Sequence, residues 1–422
     1  MYDVIVAGAR CAGASTALLL ARAGHRVLVV DRAALPADTL STLYIHQPGV
    51  ALLGRWGLLD DLRDTGAPVI AHTLYEVADV RLSARLPGSD GIDFTMAPRR
   101  HILDWQLARA AVAAGAELSD RSAVVGLLTD GDRITGVRIR RANGDVTAVR
   151  ASLVVGADGM RSTVARLTRA REYWRRPRLT CAYYGFWHGV PAVFEQYQRP
   201  GRWIGAMPTH HGLTLVAAYF PQAEFRQVRL DCKRAHADAV RAAAPQLHER
   251  LAAGRPAGRL RGTGDQRNFL RTAAGPGWAL VGDAGHHKDS VTARGITDAF
   301  RQAELLAGCL SSLQGGRLPP AGVDRCLRRY LAERDELVRM GYRATLAVGL
   351  LDVTPQRLAL LRVIAQSADL TARYFAAAAG VCEPHELFTP ELIELSRKHY
   401  LGGRPSGSGR VRWQVPQSAP YL

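Results

Sequence analysis

Residues 1–31 carry a strand, a helix and a second strand, and this unit dictates how the fold begins. Asp3-Val-Ile-Val-Ala-Gly8 is a short apolar run suited to a buried parallel strand. Ala12 to Ala23 is rich in Ala and Leu and predicts a helix, which Gly24 ends with a left-handed residue. His25 to Val30 predicts the second strand, closed by Asp31. The connecting turn is Gly8-Ala9-Arg10-Cys11-Ala12-Gly13. Gly8 permits a tight turn, and Gly13 lets the helix lie close to the sheet. The free N–H groups of the helix start then face a pyrophosphate, with Cys11 and Ala12 as small residues beside it. Asp31 stands where an acid would hold a ribose hydroxyl, with Arg32 next to it. Arg10 occupies the place of the usual middle glycine, either over the phosphates or as a solvated loop charge.

Two further segments repeat the pattern of an apolar strand delivering an acid to its C-terminal end. Leu153-Val-Val-Gly-Ala-Asp-Gly159 brings Asp158 and Gly159, and Trp278-Ala-Leu-Val-Gly-Asp283 brings Gly282 and Asp283. Open α/β sheets bind ligands at that edge. No second complete glycine fingerprint occurs.

With these motifs the chain resembles the FAD-dependent aromatic hydroxylases, the superfamily typified by p-hydroxybenzoate hydroxylase. The resemblance spans the motifs of most of the first 310 residues. It implies an α/β fold with a discontinuous Rossmann-type FAD-binding domain, a β-sheet substrate domain and a C-terminal helical region. FAD would be held by Gly8, Arg10, Cys11, Ala12, Gly13, Asp31, Arg32, Ser41, Thr42, Arg100, Val124, Asp158, Gly159, Gly282, Asp283, Arg294, Gly295 and Ile296. Within that set, Asp158-Gly159 matches the motif shared between FAD and NAD(P)H, Gly282-Asp283 the ribityl and pyrophosphate motif, and Arg100 with Leu103 the Arg-x-x-Leu helix start. Gly285-His-His-Lys-Asp289, with Asp38-Thr-Leu-Ser-Thr42, is similar to a bacterial subgroup of oxidoreductases in biosynthesis and secondary metabolism. Ser290 stands where that subgroup usually has proline.

Expected domains are residues 1–70, 98–178 and 262–315 for FAD, and 71–97 and 179–261 for substrate. Residues 316–400 form the helical region and 401–422 a flexible tail. Alternating and aromatic-rich stretches at Thr73–Leu86 and Leu179–Phe220 predict the substrate sheet, and Tyr183, Tyr184, Trp187, Trp203 and Met207 are its candidate pocket residues. His46, His287 and Lys288 are the polar candidates for catalysis, each with a plain structural alternative. A helix is predicted from near Gly295 to Leu310, and the loop His286–Arg294 before it is expected to gate the flavin.

The net charge of +17 does not indicate nucleic acid, because Lys occurs only at Lys233, Lys288 and Lys398 and the arginines are dispersed. The longest apolar runs, such as Ala17–Ala21, are too short for a membrane span. Six scattered cysteines fit a reducing cytoplasm and give no metal site.

The resemblance thus implies a monooxygenase that hydroxylates or epoxidises a small aromatic or polyketide-like substrate through the flavin C4a-hydroperoxide. O₂ and a transiently bound NAD(P)H are its co-substrates, with a separate flavin reductase as the alternative electron source. Competing readings are a C–C reductase related to geranylgeranyl reductases, a halogenase, and a cyclase or escort protein on the same fold. The halogenase signature Trp-x-Trp-x-Ile-Pro is absent, and Gly201-Arg-Trp-Ile-Gly-Ala-Met-Pro208 echoes it only loosely.

Overall fold

The computed structural model describes residues 1–88, 90–313 and 318–402. Of the expected tail, residues 403–422 lie outside the described residues. Strands Glu117–Ser119, Val27–Val30, Tyr2–Ala7, Val146–Gly156 and Trp278–Leu280 lie side by side, all parallel. Tyr2–Ala7, Val27–Val30 and Trp278–Leu280 are short and almost wholly buried, because helices cover the sheet. Helix Cys11–Arg22 packs against helices Arg100–Ala113 and Gly295–Leu310. A hairpin, Ala123–Asp130 and Arg133–Arg140, extends the N-terminal half of the Val146–Gly156 strand.

The second sheet runs Arg255–Pro256, Thr180–His188, Leu213–Pro221, Arg202–Thr209, Phe194–Arg199, His72–Val77, Val80–Arg85. Its neighbours are antiparallel except for Phe194–Arg199 against His72–Val77. Side chains alternate across a strand, so the sheet has two differently covered faces. Cys181, Tyr183 and Trp187 pack beneath helices Cys232–Ala243 and Pro245–Ala253. Ala182, Tyr184 and Phe186 face inward with Trp203, Met207 and Tyr219.

The 30-residue helix Pro320–Gly349 crosses back beneath the 282–285 segment, and helices Pro355–Ala365, Ala368–Ala379, Pro384–Leu387 and Pro390–Gly402 follow. Pro355 and Pro384 each stand in the first turn, where the missing N–H has no intrahelical use. The long helix is pinned by Arg334, fully buried, which donates to the carbonyls of Gly285 (2.9 Å) and Arg271. No helix of the described residues is long and apolar enough to cross a membrane.

Candidate active site

Parallel register brings the sequence motifs to one edge. Ala7 is level with Val30 and with Gly156, and Gly156 with Leu280. The turns after these four strands carry Gly8–Gly13, Asp31–Arg32, Asp158–Gly159 and Gly282–Asp283, so all open at the same C-terminal edge.

The phosphate turn is built by exclusion. Gly8 has φ +104°, and a Cβ there would lie 2.4 Å from the Ala157 carbonyl oxygen. A Cβ on Gly13 would lie 1.7 Å from the Gly8 oxygen. Arg10 sits at φ −96°, ψ −166°, ordinary for any residue, so the missing middle glycine costs no strain. Its side chain is half-buried and held by two acceptors. Nη1 donates to Ala37 O and to Asp104 Oδ2, each at 2.9 Å. The reading of Arg10 as a free solvated charge is therefore corrected: it is a strut to a buried acid.

Asp104 is the hub the sequence reading missed. It is fully buried and accepts from Arg10, from Arg100 (2.9 and 3.0 Å) and from the Cys11 thiol (3.1 Å). Burial disfavours the Arg100 guanidinium, but Asp104, with Asp283 adding to it, outweighs that and holds Arg100 above its ordinary value. Burial pushes the Cys11 thiol up, so it stays protonated. The i, i+4 spacing of Arg100 and Asp104 on one helix face was the available signal.

Asp31 accepts from the N–H groups of Ala9 and Ala33, both at 2.8 Å, tying the turn to the second strand. Arg32 is exposed beside it, and Val124 is buried in the flanking hairpin. Asp158 accepts from Thr163 N (2.6 Å) and from Ser162 Oγ; burial nevertheless pushes its carboxyl above the ordinary range. Gly282 has φ +63°, and its Cβ would lie 2.8 Å from that of Ala12, so these two motifs touch. Asp283 is exposed at the mouth. Helix 11–22 has no acid in its own first turn. These residues fit an anionic dinucleotide.

The 286–294 loop, expected to gate the flavin, is tied down by side-chain contacts. Lys288 and Asp298 form a buried ion pair, and Lys288 Nζ also lies 3.2 Å from His286 Nε2. Asp289 accepts from Thr180 N (3.1 Å) and Oγ1 (2.8 Å). Ser290, where proline was expected, donates its N–H to Gln266 Oε1 at 3.0 Å, a bond proline cannot make. The segment forms a hydrogen-bonded floor. Ser41 and Thr42 are half-buried nearby, Ser41 N–H reaching Tyr184 Oη at 3.4 Å. Gly295 is exposed at the helix start and Ile296 is buried.

Beside this floor, between the inner sheet face and the C-terminal helices, lies a cavity of ≈ 330 Å³. Its aromatic wall includes Tyr44 stacked on Phe194 (centroids 3.9 Å apart) and Tyr75 between Trp203 (5.5 Å) and Tyr374 (6.1 Å). Of the catalytic candidates only His46 lines it. Burial first, then Arg294, hold that ring down to about 3, so it is neutral. Its Nε2 lies 3.0 Å from the Thr292 carbonyl and so bears the proton. His287 is corrected to a structural role: Nδ1 meets the Arg267 carbonyl and the ring stacks on Phe269. Lys288 is likewise corrected, since its ammonium is consumed by Asp298.

The pocket assignment is corrected too. Tyr183 and Trp187 project to the outer face, where Trp187 stacks on His236 at 5.5 Å. Tyr184 and Met207 share the inner face without lining the cavity; Trp203 does line it. Tyr44, Tyr75, Phe194 and Tyr374 were not foreseen.

Comparison with known proteins agrees with this geometry. Kynurenine 3-monooxygenase of Salinispora arenicola is 28% identical over 410 residues, covering 84% of this chain and 85% of that one. Digeranylgeranylglycerophospholipid reductase of Methanocella arvoryzae is 25% identical over 352 residues, covering 79% and 82%. The solved flavin-dependent brominase Bmp2 superposes with a TM-score of 0.79 at 17% identity, covering 96% of this chain and 100% of that one, a likeness of fold. The family described as FAD binding domain matches residues 1–340. With most of its length so matched, and four strand-end motifs meeting at one edge, this chain belongs to the FAD binding domain family and is an FAD-dependent oxidoreductase.

Proposed function

We propose that the chain is a monooxygenase that inserts one oxygen atom into a small aromatic or polyketide-like substrate, with NAD(P)H as reductant. The carrying observation is the aromatic cavity walled by His46 and Thr292, next to the hydrogen-bonded floor that starts the 295–310 helix. FAD would be held by the turn at Gly8–Gly13, by Asp31, by Arg100 and by Gly282–Asp283. Bound there and reduced, FAD supplies the activation of O₂. The protein's own part is to position and to keep water out. Tyr44, Phe194, Trp203 and Tyr374 give an aromatic ring flat apolar surfaces to pack on. Neutral His46 holds its proton toward Thr292, so its remaining nitrogen can only accept a hydrogen bond. Lys288 and Arg271 are anchored within the scaffold and are not available for proton transfer.

One observation favours a second reading, reduction of a C–C double bond: the similarity to the Methanocella reductase runs over most of both chains. Anaerobic stopped flow tests the oxygenase reading. NADH or NADPH is expected to bleach the flavin slowly alone and faster with a bound aromatic ligand. Failure of both nicotinamides with every ligand, while a separate reductase succeeds, would remove the single-component scheme.

A further inference from the structure

The cavity carries an excess of guanidinium. Arg294, Arg301 and Arg357 all line it, and none of the three has a carboxylate within ion-pair distance among the described residues. The lining acids are committed or peripheral. Asp298 belongs to Lys288, Glu336 is exposed and paired with Arg339, and exposed Glu383 sits in a helix-capping box.

Arg294 is the most unusual of the three. It is half-buried, its Nη1 donates to the Ala378 carbonyl at 2.9 Å, and its Nε has no partner. Its side chain runs through a slot between two glycines on different helical segments. A Cβ on Gly341 would lie 2.9 Å from Nε, and a Cβ on Gly380 would lie 2.8 Å from Nη2. Burial pulls its guanidinium below the ordinary value, with Asp298 opposing. Arg357, almost fully buried, donates to Tyr75 Oη and to Asp352 O at 3.0 Å, and its Nε is also unpartnered. Arg294 feels Asp298, but that acid is already paired with Lys288; a largely buried guanidinium with no acid of its own in contact is costly unless something charged completes it. The planar fork of arginine suits a carboxylate.

We propose that Arg294, with Arg301 and Arg357 reinforcing its field, anchors a carboxylate on the substrate, so that the site selects anionic aromatic compounds. This assignment rests on the cavity being the substrate site, as proposed above. It also turns Arg294 from a flavin contact into a substrate contact.

The test uses the FAD-loaded protein and matched probes: 2-naphthoate against 2-naphthamide, and anthranilate against anthranilamide. Binding is followed by the change in flavin absorbance. Each acid is expected to bind about tenfold or more tighter than its amide, the margin of a charged over a neutral hydrogen bond. In Arg294→Met that preference should vanish while FAD content stays unchanged; in Arg294→Lys it should survive in part. If the wild-type protein binds acid and amide equally, or neither, the anchor is refuted, whatever the variants do. Persistence of the preference in Arg294→Met refutes it as well, and loss of FAD in both variants assigns Arg294 to the flavin instead. Because no turnover is required, an acid preference without oxygen transfer would keep the anchor and discard the monooxygenase.

Discussion

Replacing Asp104 by alanine is expected to cost about 3–5 kcal/mol of stability, the usual penalty for removing one partner of a buried ion pair. Asp104 is fully buried and receives hydrogen bonds from Arg10, Arg100 and Cys11. Its loss strands two guanidiniums, one of which, Arg100, is nearly enclosed. Arg10 belongs to the phosphate turn itself, so the turn should loosen as the scaffold weakens. The measurable outcome is a lower urea midpoint together with loss of FAD on dialysis. Asp104→Asn, which keeps one acceptor oxygen but neither the other nor the charge, should fall between. A variant Asp104→Ala that keeps both its midpoint and its flavin would show that the hub holds nothing.

Lys288→Met should destabilise by a similar amount, about 3–5 kcal/mol near neutral pH, by leaving Asp298 buried and uncompensated. In the wild-type protein burial opposes ionisation of Asp298, but Lys288, Arg294 and His286 outweigh it and hold the carboxyl well below its ordinary value. A folded value below the unfolded one, about 3.9, means the pair contributes fully above that pH and is lost as pH falls through the folded value. In the variant the carboxylate loses its main partner, so lowering the pH relieves it. The gap between wild type and variant should thus be widest at neutral pH and narrow toward pH ~4. Lys288→Met/Asp298→Leu should recover most of the loss, since an apolar pair can replace an ionic one. Urea unfolding at several pH values checks this; an unchanged midpoint at neutral pH contradicts the pairing.

These two acids mark where the sequence could be read and where it could not. The first unit is legible because its causes are local: a left-handed Gly8, a Gly13 with no room for a side chain, and an acid at the end of the next strand. Convergence of Asp158 and Gly282 with that turn follows from parallel pairing, which apolar strands each ending in an acid already suggest. The cavity was far less legible. Tyr374 comes from a helix that carries no motif and meets Tyr75 only through tertiary packing. Tyr183 and Trp187 looked like pocket residues because aromatics on strands mark a sheet face, but sequence alternation does not say which face meets the flavin side. The outer face is taken by helices Cys232–Ala243 and Pro245–Ala253, which the strand pattern gave no reason to place there. Lys288 stood out for rarity, while its partner lies in the next helix.

The oxygenase assignment is tested most directly by the fate of molecular oxygen. The FAD-loaded protein is supplied with NAD(P)H, ¹⁸O₂ and the aromatic carboxylates proposed above as its ligands, and the products are weighed by mass spectrometry. One labelled oxygen atom in the product, with the ring or double bond hydroxylated or epoxidised, is the predicted result. A product that has gained two hydrogens and no label would contradict it and establish the reductase reading in its place.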